Sequence, residues 1–156
     1  MYWIFLKCHI YYMEIPHSRD IIFITGLEQM GKLLIVRGIP GSGKSTIGQQ
    51  LEKDEGYMHV EADMYFQRPS GEYAFNPNKI KDAHEWCQAT VRQAMCDGMK
   101  VVVTNTFTRT WEYAPYLQMA EAYGYESDII VANGRYQNVH DVPEAQVQRM
   151  LERFES

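Results

Sequence analysis

Residues 38–45 read Gly-Ile-Pro-Gly-Ser-Gly-Lys-Ser, which has the spacing G-x-x-x-x-G-K-[ST], and they directly follow the apolar run 33–36. This spacing is typical of a phosphate-binding loop, whose glycines let backbone N–H groups turn inward around a polyphosphate. The motif requires a strand before it and a helix after it, and we expect that helix over about residues 44–53. The free N–H groups and the dipole of the helix would favour the same anion. The sequence therefore predicts a nucleotide-binding loop.

The loop residues have distinct expected roles. Lys44 would reach the β- and γ-phosphates of ATP, and the hydroxyl of Ser45 would bind Mg²⁺. We therefore expect ATP and Mg²⁺ as cofactors. The expected nucleotide-binding residues form one run: Gly38, Ile39, Pro40, Gly41, Ser42, Gly43, Lys44, Ser45 and Thr46.

Strands and helices alternate along the chain after the loop. Short apolar runs predict strands at 57–60, 100–104 and 129–132, the last two buried. Helical periodicity and capping signals predict helices over 76–98 and 111–123. A last helix would open with Asp141 and Glu144 in capping-box spacing and Pro143 in its first turn, and would carry the apolar stripe Val147, Met150, Leu151 and Phe154. This alternation, together with the phosphate loop, predicts a three-layer α/β/α P-loop NTPase fold with a mainly parallel sheet.

The first 30 residues are distinct from the rest. They are apolar and aromatic, but Lys7, His9 and Glu14 interrupt them, so the run is too short for a membrane span. Met30 would be a sensible start immediately before the first predicted strand. We therefore expect residues 1–30 to be an appendage and residues 31–156 to form the P-loop domain.

Charge and cysteine usage limit the partners. The formal net charge is −5, from 15 Lys and Arg against 20 Asp and Glu, which argues against broad nucleic-acid binding while leaving room for a local basic groove. The three cysteines show no C-x-x-C spacing, so we expect a reducing cytoplasm and no disulfide-linked partner. No membrane partner is expected either.

Polar side chains follow the strands at their carboxyl ends, where ligands bind in such sheets. Asp63, just past the second strand, is the best-placed carboxylate to accept the proton of an attacking hydroxyl. Glu61 is expected to be a flanking charge. Arg135 is the candidate lid arginine, with Arg109 as the second choice, because positive charge is needed where it develops on the transferring group.

Magnesium has fewer candidate ligands than the phosphates. The third strand ends in Thr104-Asn105-Thr106, where many P-loop enzymes carry an aspartate. Ser45 and water, with help from Asp63, could hold the ion, since Mg²⁺ needs few protein ligands. Asn105 could order that water or touch the acceptor, or it could be a buried asparagine that satisfies backbone groups.

Aromatic residues are numerous around the expected crevice. Tyr65 is a candidate acceptor contact, together with Arg109 and Asn105. A base could stack on such rings, as in single-stranded nucleic-acid sites. We expect each ring rather to fill the core or its rim. The set comprises Tyr65, Phe66, Tyr73, Phe75, Trp111, Tyr113 and Tyr116.

Several motifs together carry a family resemblance. The run 37–46, followed by Ala-Asp-Met-Tyr at 62–65, resembles the kinase domain of phage polynucleotide 5′-hydroxyl kinases. Residues 31–156 look closer still to the small phage and cellular kinase-like domains related to Nedd4-binding protein, often labelled AAA-family ATPases. The supporting segments are 63–66, 71–75, 83–87, 101–106, 111–112, 138–143 and 149–150.

The resemblance implies that the P-loop NTPase fold is of the nucleotide-kinase-like type, and it also implies a function. Asp63 would be the general base, Lys44 and Ser45 would bind ATP and magnesium, and Arg135 would approach as the lid arginine. The partners would be a nucleotide and a hydroxyl acceptor, for which a nucleic-acid end is one candidate. Relatives often carry Asp-Asn-Thr-Asn where this chain has residues 104–107, Thr-Asn-Thr-Phe. A P-loop ATPase and a nucleotide-binding module without kinase activity remain the alternatives.

Overall fold

The computed structural model describes residues 31–134 and 142–155, so the expected appendage 1–30 lies outside the described residues. Strands and helices alternate as predicted within these ranges. The strands are β1 Lys32–Arg37, β2 Met58–Val60, β3 Val101–Asn105 and β4 Glu126–Val131, and the helices are α1 Lys44–Glu55, α2 Ile80–Cys96, α3 Thr110–Tyr123 and α4 Glu144–Glu152. Short 3₁₀ segments at Ala62–Phe66 and Pro77–Lys79 connect β2 to α2, so the helix expected from residue 76 opens with a 3₁₀ turn.

The strands form one parallel sheet in the order β2-β3-β1-β4, which confirms the predicted α/β fold class. Side chains alternate between its two faces, as the pleat requires. One face packs Leu33 and Ile35 against α2 and α3, and the other packs Leu34 and Val36 against α1. Helices therefore cover both faces, and the architecture has three layers.

The register of the central strands places the functional segments. Val36 lies opposite Thr104, and Arg37 lies opposite Asn105. The phosphate loop therefore leaves β1 at the level where β3 ends. None of the helices in the described residues is long and apolar enough to cross a membrane.

The expectation that the fourth strand is buried is wrong. β4 is exposed along its whole length, because among the described strands it pairs only with β1 and forms an edge of the sheet. Its apolar run has the composition of a central strand, but composition does not report which strand ends up at the edge. The strand also begins earlier than expected, at Glu126.

The last helix differs from expectation at both ends. It begins at Glu144, with Pro143 as the residue before its first turn, and Asp141 lies outside the described residues. Val147 is buried, but Leu151 is exposed and Phe154 lies beyond the helix end. The Phe154 ring instead packs 4.3 Å from the guanidinium carbon of Arg37. Phe154, the last residue of the predicted apolar stripe, therefore packs against the buried guanidinium of Arg37.

Gly48 lets α1 pack closely against the sheet. A Cβ at this position would overlap the ring of His59 and lie 2.8 Å from Cγ2 of Thr104. Replacing glycine by alanine within a helix normally stabilises by about 0.5–1 kcal/mol. We expect Gly48→Ala instead to lower the free energy of unfolding by about 1–3 kcal/mol, because the core around it is already full.

Chemical denaturation measures this effect, with Gln49→Ala as the control. Gln49 is the exposed neighbour on the same helix, so its replacement should change stability by less than about 0.5 kcal/mol. A Gly48→Ala protein more stable than the parent would contradict the packing described here.

Candidate functional site

The phosphate loop has the backbone that its sequence predicts. Gly41 and Gly43 have φ values of 79° and 88°, which side-chain-bearing residues rarely adopt. The loop is anchored by hydrogen bonds from the Gly38 N–H to the Thr106 carbonyl (3.2 Å) and from the Gly134 N–H to the Ser42 carbonyl (3.1 Å). A Cβ at Gly38 would meet the Ser42 hydroxyl and the Ala132 carbonyl, so this glycine serves close packing. The loop is therefore held against the ends of β3 and β4.

Lys44 stands at the start of α1 with its ammonium partly buried. Its Nζ lies 3.5 Å from the Ile39 carbonyl oxygen, which folds the side chain back over the loop. Burial lowers the pKa of Lys44, while the carboxylates of Glu61 and Asp63 act in the opposite direction. The three charged groups therefore lie within electrostatic reach of one another.

Glu61 is more than a flanking charge, and that expectation is wrong. Its Oε2 accepts hydrogen bonds from the Ser45 hydroxyl (2.8 Å) and from the Thr104 hydroxyl (2.9 Å). The residue directly follows β2, which pairs with β3. The sheet therefore brings a carboxylate to the P-loop serine, although the end of β3 itself carries none.

His59 belongs to the same hydrogen-bond network as Ser45, Glu61 and Thr104. Its Nε2 lies 2.6 Å from the Thr104 hydroxyl and 3.8 Å from Glu61 Oε2. The single hydroxyl proton of Thr104 is donated to Glu61, so Thr104 must accept from His59, which requires the Nε2–H form of the ring. Burial lowers the pKa of His59, which favours the neutral ring, whereas Glu61 and Glu52 raise it. His59 thus orients Thr104, and Thr104 orients Glu61.

Asp63 lies on the 3₁₀ segment after β2, about half-buried. Its Oδ1 accepts a hydrogen bond from the Tyr73 hydroxyl at 3.3 Å. Desolvation and the neighbouring Asp63 carboxylate raise the pKa of Tyr73 to about 12, so the phenol stays protonated and can donate. The carboxylate is therefore presented at the surface of the crevice with a fixed partner.

Asn105 has the structural role that was one of its two expected alternatives. Its Oδ1 accepts from the Ala62 N–H at 2.9 Å, and its Nδ2 lies 3.7 Å from the Cys87 sulfur. The side chain is buried and spans β3, α2 and the segment between Glu61 and Asp63. Asn105 therefore fixes the backbone that carries both carboxylates.

The arginine candidates are placed differently. Arg135 lies outside the described residues, so its lid role stays a prediction. Arg109 forms an ion pair with Glu155 at 3.1 Å, which holds its guanidinium toward the end of the chain. It also borders a cleft of about 610 Å³ with Arg149 of α4 and with Arg153, the residue after that helix. This cleft gathers positive charge beside the loop that follows β3.

A second cleft, of about 380 Å³, adjoins the phosphate loop on its outer side. It lies between the first turns of α1 and the end of β4. A ligand pocket for a small molecule commonly has about 300–1,000 Å³, so the cleft has room for a planar base. Its lining residues are Ser42, Gly43, Thr46, Ile47, Gln50, Val131, Ala132, Asn133 and Gly134.

Only weak sequence features predicted the hydrogen-bond network formed by Ser45, His59, Glu61 and Thr104. Glu61 directly follows a strand, and Thr104 is a polar residue that ends a strongly apolar run. Neither observation links the two to Ser45, because that link depends on β2 and β3 being neighbours. The strand order, which the sequence does not state, was the missing information.

Comparisons with known proteins identify the family of the chain. The family model described as "AAA domain" matches residues 33–156, and the chain belongs to this family. Human NEDD4-binding protein 2 is 28% identical over 134 residues, a match that covers 79% of this chain and 8% of that protein. The resemblance seen in the sequence motifs is therefore confirmed.

Solved structures share the fold. A chain in the structure of the Pnkp1/Rnl/Hen1 RNA repair complex has a TM-score of 0.64 and 17% identity, and the match covers 83% of this chain and 46% of that chain. A gluconokinase from Sinorhizobium meliloti 1021 has a TM-score of 0.54 and 19% identity, with 83% of this chain and 78% of that chain covered. The chain thus spans under half of the first of these structures and a small part of NEDD4-binding protein 2.

Proposed function

We propose that this AAA-domain chain is an ATP-dependent kinase that moves the γ-phosphate of ATP to a hydroxyl of a nucleoside, a nucleotide or a nucleic-acid end. The observation that carries the proposal is the grouping of Lys44, Glu61 and Asp63 around the phosphate loop. Relatives in fold include a gluconokinase and a component of an RNA repair complex, which supports the reaction type more than the acceptor. Residues 31–156 would form the catalytic unit.

ATP would lie along the loop and the outer cleft. The inward N–H groups of residues 38–46 and the ammonium of Lys44 would bind its phosphates. The base would occupy the 380 Å³ cleft between α1 and the end of β4. Because this cleft directly adjoins Gly43 and Thr46, one ligand could fill both parts.

The residues at the loop fit a magnesium ion. Mg²⁺ prefers oxygen ligands and usually retains several waters, and here the Ser45 hydroxyl lies 2.8 Å from a Glu61 carboxylate oxygen. Glu61 accepts a hydrogen bond from the Ser45 hydroxyl, which leaves the lone pairs of the serine oxygen free to face a cation. Glu61 thereby supplies the carboxylate that residues 104–106 lack. When bound, the ion would neutralise charge on the transferring phosphates.

Asp63 would act on the acceptor. Its carboxylate would take the proton of the acceptor hydroxyl while that oxygen forms a bond to the γ-phosphorus. The bond from the γ-phosphorus to its bridging oxygen would break, and ADP would leave. Lys44 would stabilise the negative charge that develops on the transferring group.

Transfer of label from γ-³²P-ATP tests the proposal. The full chain would be incubated with Mg²⁺ and a panel of oligonucleotides with 5′-hydroxyl ends, nucleosides, nucleotides and gluconate. We expect label to appear on at least one base-containing acceptor. Release of inorganic phosphate without any labelled acceptor would instead identify an ATPase, and ATP binding without turnover would identify a binding module.

Glu61→Gln should weaken magnesium binding. Glutamine keeps the size of the side chain and can still accept hydrogen bonds, but it removes the negative charge beside Ser45. We expect the Mg²⁺ concentration for half-maximal activity to rise about 10- to 100-fold. Electron paramagnetic resonance of Mn²⁺ with bound ATP provides a readout that does not depend on turnover.

Glu121→Gln, on the exposed surface of α3, is the matched control. It removes the same charge far from Ser45 and should leave both measurements unchanged. Equal Mn²⁺ affinity in the Glu61→Gln protein and the parent would show that Glu61 has no role at the ion.

A further inference from the structure

A group of aromatic rings lies outside the core, beside Asp63. We call Tyr65, Tyr73 and Phe75 the aromatic shelf; these residues are 38%, 41% and 52% exposed. The expectation that aromatics fill the core or its rim is confirmed for Phe66, Tyr113 and Tyr116, which are buried. The shelf rings lie at the rim, each beside the Phe66 ring, whereas Trp111 is 72% exposed and the expectation is wrong for it. Exposed apolar rings grouped next to a candidate catalytic carboxylate indicate a ligand-binding site.

The shelf is built by local structure and is not a chance grouping. The chain reverses over residues 67–73, where Gln67 and Tyr73 form an antiparallel bridge and the Ala74 N–H donates to the Phe66 carbonyl at 2.9 Å. The buried Phe66 ring then supports two shelf rings edge-on, with centroids 6.2 Å from Tyr73 and 5.1 Å from Phe75. The planes of Tyr73 and Phe75 differ by only 13°. Two nearly parallel rings are thus fixed on a buried anchor.

The shelf is joined to the catalytic carboxylate. The Tyr73 hydroxyl lies 3.3 Å from Asp63 Oδ1, so the ring that bears it is within one side chain of the reacting position. A planar group stacked on these rings would keep its attached substituents near Asp63. This arrangement suits an acceptor with an aromatic part and a hydroxyl part.

Charge around the shelf disfavours an acceptor that binds mainly through phosphate. The cations nearest in sequence are already paired, Arg68 with Glu72 at 2.9 Å and Lys79 with Asp82 at 2.7 Å. Glu61 and Asp63 add negative charge toward the loop. A neutral flat ring therefore fits this surface better than an anion, and stacking on aromatic side chains accepts any base.

We infer that the aromatic shelf binds the base of a nucleoside unit whose free hydroxyl faces Asp63. The acceptor class of the proposed kinase is then a nucleoside, either free or at the end of a single-stranded oligonucleotide. The inference rests on the proposed function for the meaning of the hydroxyl, but binding of the base can be measured without turnover.

Phe75→Ala is the direct test, since Phe75 has no hydrogen bond to Asp63 to disturb. Stacking of one base on an aromatic ring contributes about 1–3 kcal/mol, so the KM for thymidine and for a 5′-hydroxyl oligothymidylate should rise about 5- to 150-fold. The KM for ATP should not change. Phe75→Trp should keep acceptor KM near the parent value, because it retains a ring. Met99→Ala, an exposed apolar residue just before β3 at the opposite end of the sheet, is the control.

Two readouts separate this inference from the proposed function. Fluorescence anisotropy of a 3′-labelled, 5′-hydroxyl oligothymidylate, with Mg²⁺ and a non-hydrolysable ATP analogue, reports binding alone, and γ-³²P transfer reports turnover. Loss of oligonucleotide binding in Phe75→Ala supports the shelf even if no acceptor is labelled, in which case only the kinase proposal fails. Labelling of gluconate or ribose as efficiently as thymidine overturns the shelf and leaves the kinase.

Further outcomes decide the source of the base. A KM for thymidine close to that for the oligonucleotide supports a free nucleoside, and a much lower KM for the oligonucleotide supports a strand end; both agree with the inference. An unchanged acceptor KM in Phe75→Ala overturns it, as does the absence of oligonucleotide and thymidine binding by the parent protein.

Discussion

Asp63→Asn is expected to lower kcat for phosphoryl transfer by about 10²- to 10⁴-fold, the usual contribution of a general base. Asparagine keeps the shape of the side chain and can still accept the hydrogen bond from Tyr73. It cannot accept the proton of an attacking hydroxyl. ATP affinity should remain close to the parent value, because Asp63 is proposed to act on the acceptor and not on the nucleotide. Initial rates with γ-³²P-ATP and calorimetric titration with ATP measure the two quantities.

Asp97→Asn is the matched control for this variant. Asp97 is exposed at the end of α2 and accepts a hydrogen bond from Gln93, away from the phosphate loop. Its replacement should leave both kcat and ATP affinity unchanged. Undiminished transfer in Asp63→Asn would remove Asp63 from the mechanism, and loss of ATP binding would assign it to the nucleotide instead.

Lys44→Met should lower kcat/KM for ATP by about 10²- to 10³-fold, the cost of removing one preorganised charge from a transition state. Methionine retains an unbranched side chain, so packing at the start of α1 should persist. The ammonium is partly buried above the loop, and burial lowers the pKa of Lys44 because its charge is poorly solvated there. A bound triphosphate would supply negative charge next to the ammonium, which water solvates poorly there.

Lys53→Met tests whether the effect belongs to the site. Lys53 lies on the same helix but is exposed near its other end, so the same change there should leave kcat/KM and thermal stability unaltered. The Lys44→Met protein should also unfold at a temperature no lower than the parent, since its buried charge has been removed. Full activity in Lys44→Met would contradict phosphate binding by this lysine.

The elements that carry strong local signals could be predicted from the sequence. The phosphate loop and α1 follow from glycine spacing and context, and the left-handed glycines at 41 and 43 confirm the expected loop backbone. The helix end before Gly124 could be predicted, because glycine readily adopts the left-handed cap conformation. Each of these features depends on neighbours in sequence, which is why reading along the chain found them.

The features that were missed depend on neighbours in space. β4 was expected to be buried from its Ile-Ile-Val run, yet edge position depends on strand order. Glu61 was expected to be incidental, yet the pairing of β2 with β3 brings it to Ser45 and Thr104. The Pro-Ser-Gly run at residues 69–71 indicates a turn, but it does not show that the chain reversal over residues 67–73 places Tyr73 and Phe75 on Phe66 to form the aromatic shelf. Tertiary arrangement, and not residue type, decided these cases.

The most direct measurement of the central claim is calorimetric titration of the full chain with ATP in magnesium buffer. The claim is that the loop at residues 38–46 and the ammonium of Lys44 bind a triphosphate at the carboxyl edge of the sheet. We expect saturable binding of one ATP per chain, weakened by removal of Mg²⁺ and strongly weakened in Lys44→Met. An absence of binding by ATP and GTP to the folded parent protein would contradict it.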